Sequence, residues 1–454
     1  MESLRQEKHR LQREIVHLSF PTMSGSLFQA FYDIVDMVFI GMIDQAAVAA
    51  STIFITLFWI VEVLNEIVGC SSVSMISQAY GSGNIEKTEH VCQKTFMFKI
   101  LLACIGAVVM GVLLPWFYHL YSHDSTVIRY GLSYGYIRLI FLPVFFSSYT
   151  VNTIFRCTGD ARTPMRLLLV ASVMNIVLDP LLMFHTIPGT SIPGLGLGIA
   201  GAAIATVGSV SFSFVVGFVK LLRGKAPVHL RIKGILKRDK EIDRKLLSIG
   251  FPSGLNLLLR NVCTFVVLRL VSGFGTSAIA ILGVGTRIYQ FFCMPSSGIA
   301  TGSGIIVGHC LGAERPSEAK LVISLTTLNC LACTVVLSAL MWLFPHQLLG
   351  IFLGGISVGK DGVSLMHVFA LCLLCLALMS GLSAAFYGSG ETRAIMYGSL
   401  IAQWVFQIPY ALIVIKLLHL GISFLWLSYL VGDCTELITL YCFFRSGRWS
   451  KKRV

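Results

Sequence analysis

The chain has 454 residues, 55% of them hydrophobic and only 13% charged, with a mean hydropathy of +0.79. Soluble domains carry about 25% charged residues, so these values exclude an ordinary soluble enzyme or binding module and require a polytopic membrane protein. The formal net charge of +13 would suit nucleic acid, but the basic residues lie where membrane topology needs them, and no nucleic-acid partner is expected.

Residues 1–17 are polar and basic, without a short apolar core and cleavage site, so no removable signal peptide is expected. Windows of about 19 residues then mark twelve candidate spans. The first six are 15–41, 48–78, 91–114, 130–155, 165–184 and 197–222, and the second six are 247–272, 278–309, 320–345, 363–387, 395–418 and 421–445. Span 1 carries Asp33 and Asp36 in the run FYDIVDMVFIG. A carboxylate at the centre of a span costs about 2.5–3.5 kcal/mol on insertion scales, which marks it as functional. The i, i+3 spacing puts both on one helix face, and Pro21 lets the start of the same helix bend.

In span 2, Glu62, Asn65 and Glu66 form a second polar face, either a wet cavity wall or a partner for an arginine of the other bundle. Span 5 holds Asn175 and Asp179 at i, i+4, followed by Pro180, which leaves the carbonyl of Ile176 without its usual donor. A carboxylate, an amide and a free carbonyl together can hold a proton, a sodium ion or water. Arg260 and Arg269 in span 7 and Arg287 in span 8 should each meet a carboxylate or a wet cavity. Arg287, Glu62, Glu66 and Asp33 are candidate cavity residues. Asp433 and Glu436 in span 12 are expected to pair with a neighbouring basic residue. Prolines 143, 295 and 409 each interrupt a span. The thirteen cysteines show no framework, the CxxC pairs 330/333 and 372/375 lie within spans, and no metal site is expected. The loops 157–164 and 388–393 lack Gly-Lys-Ser/Thr and read as hairpin turns rather than nucleotide sites.

Lysine and arginine crowd the N-terminus, the loops after even-numbered spans and the C-terminal tail; Lys87 and Lys94 are counted to the region after span 2, together with Lys99 just inside span 3. The opposite loops hold only Arg129, Lys360 and Lys416. By the positive-inside rule both termini are cytoplasmic. The ten basic residues of 220–245 read as a cytoplasmic linker able to touch anionic headgroups. That linker divides a repeat. A shift of 231 places Phe20-Pro21 on Phe251-Pro252, Gly81 on Gly312, and Phe155, Gly159, Asp160, Arg162 and Met165 on Phe386, Gly390, Glu391, Arg393 and Met396. Each half has an even number of spans, so the repeat is parallel, with its axis along the membrane normal. The expected fold is all-α and polytopic, with twelve transmembrane helices in two six-helix bundles related by a pseudo-two-fold. The divisions are 1–219 for the first bundle, 220–245 for the linker and 246–454 for the second bundle.

Several motifs, in order and at spacing, carry a resemblance. They are Val35-Asp36 with Phe39-Ile40-Gly41, Gln78-Ala-Tyr-Gly81, Phe155-Arg-x-x-Gly-Asp160, Asn175-x-x-x-Asp179-Pro180 and Gly201-Ala-Ala-x-Ala-Thr206. With these the whole chain resembles the multidrug and toxic compound extrusion (MATE) family, in particular its DinF-like bacterial and archaeal members. The resemblance implies a secondary active antiporter, not an enzyme, that exports small organic cations against inward protons or sodium. It places the coupling centre at Asp36, with Asn175, Asp179 and Thr206 around it, and adds a span 4 tyrosine, Tyr136 or Tyr134. The sodium-coupled subgroup has an acid in span 7, where this chain has Arg260-Asn261, so protons are favoured. No cofactor beyond the coupling ion is implied, and a monomer in a bacterial or archaeal cytoplasmic membrane is expected. A sodium-coupled exporter and a lipid-linked oligosaccharide flippase are the rival transport readings. The carboxylate excess of the first half argues against a pyrophosphate cargo. An intramembrane hydrolase is disfavoured because aspartates three apart on one helix point along the same face.

Overall fold

The computed structural model describes residues 2–224, 226–235, 239–353 and 359–454. The expected linker 220–245 therefore falls partly outside the described residues, at 225 and 236–238. The described secondary structure is helical apart from one isolated bridge, Thr186 to Pro193. In the first half the helices are α1 (Glu2–Gly41), α2 (Gln45–Gly81), α3 (Ile85–Tyr121), α4 (Ser125–Ile140), α5 (Leu142–Cys157), α6 (Arg162–Met183), α7 (Ile199–Leu222) and the short α8 (Ile232–Ile235). Then come α9 (Lys240–Val271), α10 (Thr276–Gly312), α11 (Pro316–Leu343), α12 (Pro345–Leu353), α13 (Lys360–Ser389), α14 (Thr392–Leu400), α15 (Ile408–Leu412), α16 (Ile422–Arg445) and α17 (Arg448–Lys451).

Local chemistry explains the boundaries. Asp44, Asn84 and Asp124 each cap a helix, their side chains accepting from Ala47 N at 2.6 Å, Lys87 N at 2.8 Å and Thr126 N at 2.8 Å. On α2 the buried Ala47, Ala50, Phe54, Leu57 and Val61 recur at helical spacing and face Tyr118, Tyr134 and Phe146. The Tyr118 hydroxyl donates to the carbonyl of Ala50 at 2.7 Å, and Tyr118 lies so close to α4 that a Cβ at position 131 would meet its ring at 2.0 Å. Large apolar residues point outward instead, including Val108, Val112 and Trp116 on α3 and Val170, Val173 and Val177 on α6. Outward apolar rows are what a lipid-facing surface requires.

The fold is that of an all-α polytopic membrane protein, but the span count departs from twelve. Among the described residues ten helices are long and apolar enough to cross a membrane, and eleven when the bent pair α4 and α5 counts as one span. The remaining expected span is α1. It has 40 residues, but its polar run from Ser19 to Gln29 and its two aspartates hold its hydropathy down. The fourth expected span, 130–155, is not one straight helix: it breaks at Phe141, just before Pro143, and bends by 49°. The eleventh runs through two π-helical stretches, Ile401–Gln407 and Ile413–Leu417, on either side of Pro409. Pro295, by contrast, sits within an unbroken α10.

The chain divides into two compact units. One comprises Met1–Met23 with Phe251–Val454, the other Ser24–Gly250. The division does not follow the sequence order of the expected bundles, because α1 gives its first half to the unit otherwise built from the C-terminal repeat. Inside that unit Arg10 pairs with Glu318, and Gln12 donates to Asn329 at 2.8 Å.

The repeat is visible in the turns of both units. Asp160 N donates to Phe155 O at 2.9 Å, with Gly159 at φ +91°. At the corresponding place Glu391 N donates to Phe386 O at 3.0 Å, with Gly390 at φ +74°. Both turns need a left-handed residue after the helix, which glycine supplies at least cost.

Candidate functional site

The unit Ser24–Gly250 gathers the polar residues that its sequence scatters. Asp36 is half-buried on α1, and its Oδ1 is enclosed without a hydrogen-bond partner. Asp33, one turn earlier, is exposed and accepts from the Tyr32 hydroxyl. From α6 come Asn175, 1% exposed, and Asp179, fully enclosed. The Asn175 amide nitrogen donates to Asp179 Oδ1 at 3.4 Å, leaving Asn175 Oδ1 and Asp179 Oδ2 buried and unpartnered. Asp179 is an electrostatic neighbour of Asp36. Thr206 of α7, 2% exposed, donates to its own helix at Ala202 O, 3.0 Å away, so its lone pairs remain able to accept. A cavity of about 50 Å³ is lined by Gln29, Tyr32, Tyr149, Asn152, Asn175 and Thr206 among others. That is room for a few water molecules.

Of the two candidate tyrosines, the geometry selects Tyr134. It is 2% exposed and an electrostatic neighbour of Asp36 and Asp179, whereas Tyr136 points outward at 39% exposure. Two residues along a helix differ by about 200° in direction, so only one of them can face the acids. Arg138 follows on the Tyr134 face and was not among the candidates. Its Nη1 donates to the Tyr134 hydroxyl at 3.2 Å, and Asp33 and Asp36 are its acidic neighbours. The signal was present, since Arg138 is i+4 from Tyr134, but an arginine in an apolar span does not by itself say which acid it meets.

Glu62 and Glu66 form a second group in the same unit. Asn65 donates to Glu62 Oε1 at 2.5 Å. The cation beside both is Lys99 of α3, with Arg138 of α4 a further neighbour of Glu62. Lys99 is 2% exposed, with its Nζ 5.9 Å from the centre of the Tyr149 ring. It lies inside the expected third span, 91–114, and α3, unbroken from Ile85 to Tyr121, buries it.

In the other unit Arg260 of α9 pairs with Glu436 of α16, with Asp433 close by. This is the expected pairing of an intramembrane arginine with the buried Glu436. Among the described residues Arg269 meets a hydroxyl rather than a carboxylate, donating to Ser272 Oγ at 3.2 Å. Arg287 is exposed on α10 and enters no ion pair among the described residues.

Comparison with known proteins agrees with the repeat. The MatE family profile matches residues 21–181 and again 252–413. The chain is 28% identical over 441 residues to the probable multidrug resistance protein YoeA of Bacillus subtilis, covering 96% of this chain and 93% of that protein. It is 24% identical over 459 residues to the probable multidrug resistance protein NorM of Thermotoga maritima, covering 99% and 96%. Among solved structures, a MOP superfamily transporter from Pyrococcus furiosus superposes with a TM-score of 0.88 at 22% identity, over 98% of this chain and 97% of that one. The MATE transporter VcmN of Vibrio cholerae gives 0.87 at 19% identity, over 98% and 100%. Two profile matches one repeat apart, on a fold shared along nearly its whole length, leave one assignment: the chain belongs to the MatE family, the multidrug and toxic compound extrusion transporters, and is a secondary active efflux transporter.

Proposed function

We propose that this transporter exports small organic cations in exchange for protons, with Asp36 as the coupling centre and Asn175, Asp179 and Thr206 around it. The observation that carries the reading is the set of buried oxygens without donors, Asp36 Oδ1, Asn175 Oδ1 and Asp179 Oδ2. Such atoms cost free energy unless a proton, a cation or water meets them. A proton taken by Asp36 or Asp179 removes negative charge from the cavity and adds a donor, so protonation and cation binding exclude one another. That exclusion is the thermodynamic content of antiport. One charge moving through 100 mV is worth about 2.3 kcal/mol, roughly a fifty-fold gradient at about 1.4 kcal/mol per decade.

Sodium coupling is a second reading. The same oxygens, with the Thr206 hydroxyl, form an all-oxygen set of the kind hard cations take, and the absence of an acid at Arg260-Asn261 weighs toward protons. We further propose that α1 is the twelfth span, that the two halves act as alternating-access bundles, and that the chain is a DinF-like monomer of a prokaryotic cytoplasmic membrane. Both termini would be cytoplasmic. At 1.5 Å per residue α1 is long enough to cross about 30 Å of hydrocarbon and continue into water.

The test is efflux of ethidium from membrane vesicles under an imposed pH gradient and then an imposed sodium gradient, with wild type beside Asp36→Asn. Drive by pH, lost in the variant, supports proton antiport through Asp36. Drive by sodium moves the ion to the oxygen set, and wild-type efflux in the variant would sink the assignment of Asp36.

A further inference from the structure

Arg138 stands where a cation would be held. It lies in the last turn of α4, directly before the 49° bend into α5, where the helix end itself favours positive charge. Its guanidinium carbon is 4.8 Å from the centre of the Phe145 ring, 5.6 Å from Phe58 and 5.7 Å from Tyr134. Three rings within about 6 Å of one cation make an aromatic cage, the arrangement that recognises guanidinium and quaternary ammonium groups. The carboxylates of Asp33 and Asp36 are neighbours, yet among the described residues Arg138 forms no ion pair with either. Among the described residues its one hydrogen bond is to the Tyr134 hydroxyl; its Nε–H is buried without an acceptor, and Asp36 Oδ1 is buried without a donor. A charge held by rings and one hydroxyl, beside acids it does not clamp, is positioned to leave.

We infer that Phe58, Tyr134 and Phe145, with Asp33 and Asp36, form a subsite for a monovalent organic cation, and that Arg138 is a tethered cation occupying this subsite until substrate displaces it. The inference rests on the export reading above. Its physical consequence is intramolecular competition. A tethered group acts at an effective concentration in the millimolar range or above, so a ligand must outcompete it, and planar or delocalised cations that use all three ring faces do so best. Removing the guanidinium should tighten cation binding by tenfold or more. A simple counter-charge would also weaken cation binding electrostatically, but its effect would not depend on the rings, and that difference decides the test.

The experiment is equilibrium binding of tetraphenylphosphonium to the purified full-length protein in detergent. It compares wild type, Arg138→Gln, Phe145→Leu, the Arg138→Gln/Phe145→Leu double variant and Asp36→Asn, each checked for monodispersity. Arg138→Met, an apolar chain of similar reach, replaces the Gln variant if that one does not fold. The expected result is binding at least tenfold tighter in Arg138→Gln, with most of the gain lost when Phe145→Leu is added. Methylguanidinium should compete in Arg138→Gln, where the cage is free, and have little effect on wild type. A gain that persists without the Phe145 ring, with no competition by methylguanidinium, would overturn the cage and leave a plain counter-charge. Unchanged or weaker binding in Arg138→Gln would overturn it as well. If wild type binds and Asp36→Asn does not, the export reading stands, and a failure of the Arg138 variants to behave as expected then overturns this inference alone. If no protein binds any cation, both readings fail together.

Discussion

Replacing Glu314 by glycine should stabilise the protein, and the amount follows from the repeat. Glu314 follows α10 in a left-handed conformation, φ +60°. Its counterpart one repeat earlier is Gly83, which follows α2 at φ +74°. The turns match: Gly83 N donates to Tyr80 O at 3.0 Å, and Glu314 N donates to Leu311 O at 3.2 Å. A residue with a Cβ pays about 1–2 kcal/mol for this backbone region, while glycine brings back about 0.4–1 kcal/mol of extra unfolded-state entropy. The net expectation is a gain of about 0.5–1 kcal/mol. For a unit of this size each kcal/mol moves the melting temperature by about 2–4 °C, so Glu314→Gly should raise it by roughly 1–4 °C. The reciprocal change isolates the backbone cost. No atom lies within 4 Å of where a Cβ at position 83 would stand, so Gly83→Ala should destabilise by about 1 kcal/mol through conformation alone. Thermal unfolding of the detergent-solubilised protein, followed by the loss of the monodisperse peak, reads both. A Glu314→Gly protein that melts lower than wild type would refute the argument, since the glutamate side chain would then contribute more than its backbone costs.

Two further perturbations probe particular contacts. Lys99→Met removes the cation buried beside Glu62 and Glu66; breaking such a group by losing one partner costs up to about 3–5 kcal/mol. The variant should therefore insert poorly or melt well below wild type, Glu62→Gln added to it should recover part of the loss, and wild-type stability in Lys99→Met would refute the pairing. Asp239 caps the start of α9, accepting from Glu241 N at 2.9 Å and Ile242 N at 3.3 Å, and its Oδ2 is 3.1 Å from His90 Nε2. The His90 hydrogen bond, helped by those two amides, holds this carboxyl below the usual carboxylate range. Its contribution is thus present above the unfolded carboxylate value of about 3.9 and disappears as pH falls through the lower folded value. Asp239→Ala should cost about 0.5–2 kcal/mol near neutral pH through the lost cap. The gap from wild type should close only in strong acid, which unfolding at a series of pH values would show.

The sequence by itself was enough to establish the class and the repeat, and to mark the acids and the amide of the candidate site. These share one physical basis: a charge in a lipid-soluble helix is too costly to be incidental, and spacings of three or four residues place side chains on a common face without reference to any neighbour. Asp36, Asn175 and Asp179 were legible on that ground, and the single offset of 231 carried the turns at Gly159 and Gly390. Tertiary structure alone decided what depends on which helix lies opposite. Tyr134 and Tyr136 are equivalent in composition and spacing, and only packing against Phe54, at 5.2 Å from Tyr134, turns one of them inward. Lys99 lay inside a span without a visible partner until packing set Glu62 and Glu66 beside it, and Arg138 had none until packing set the rings of Phe58 and Phe145 around it. The assignment of the first 23 residues to the unit of the second repeat was equally beyond the sequence. Hydropathy reports that a helix is buried in lipid or protein, but not which bundle it is buried against.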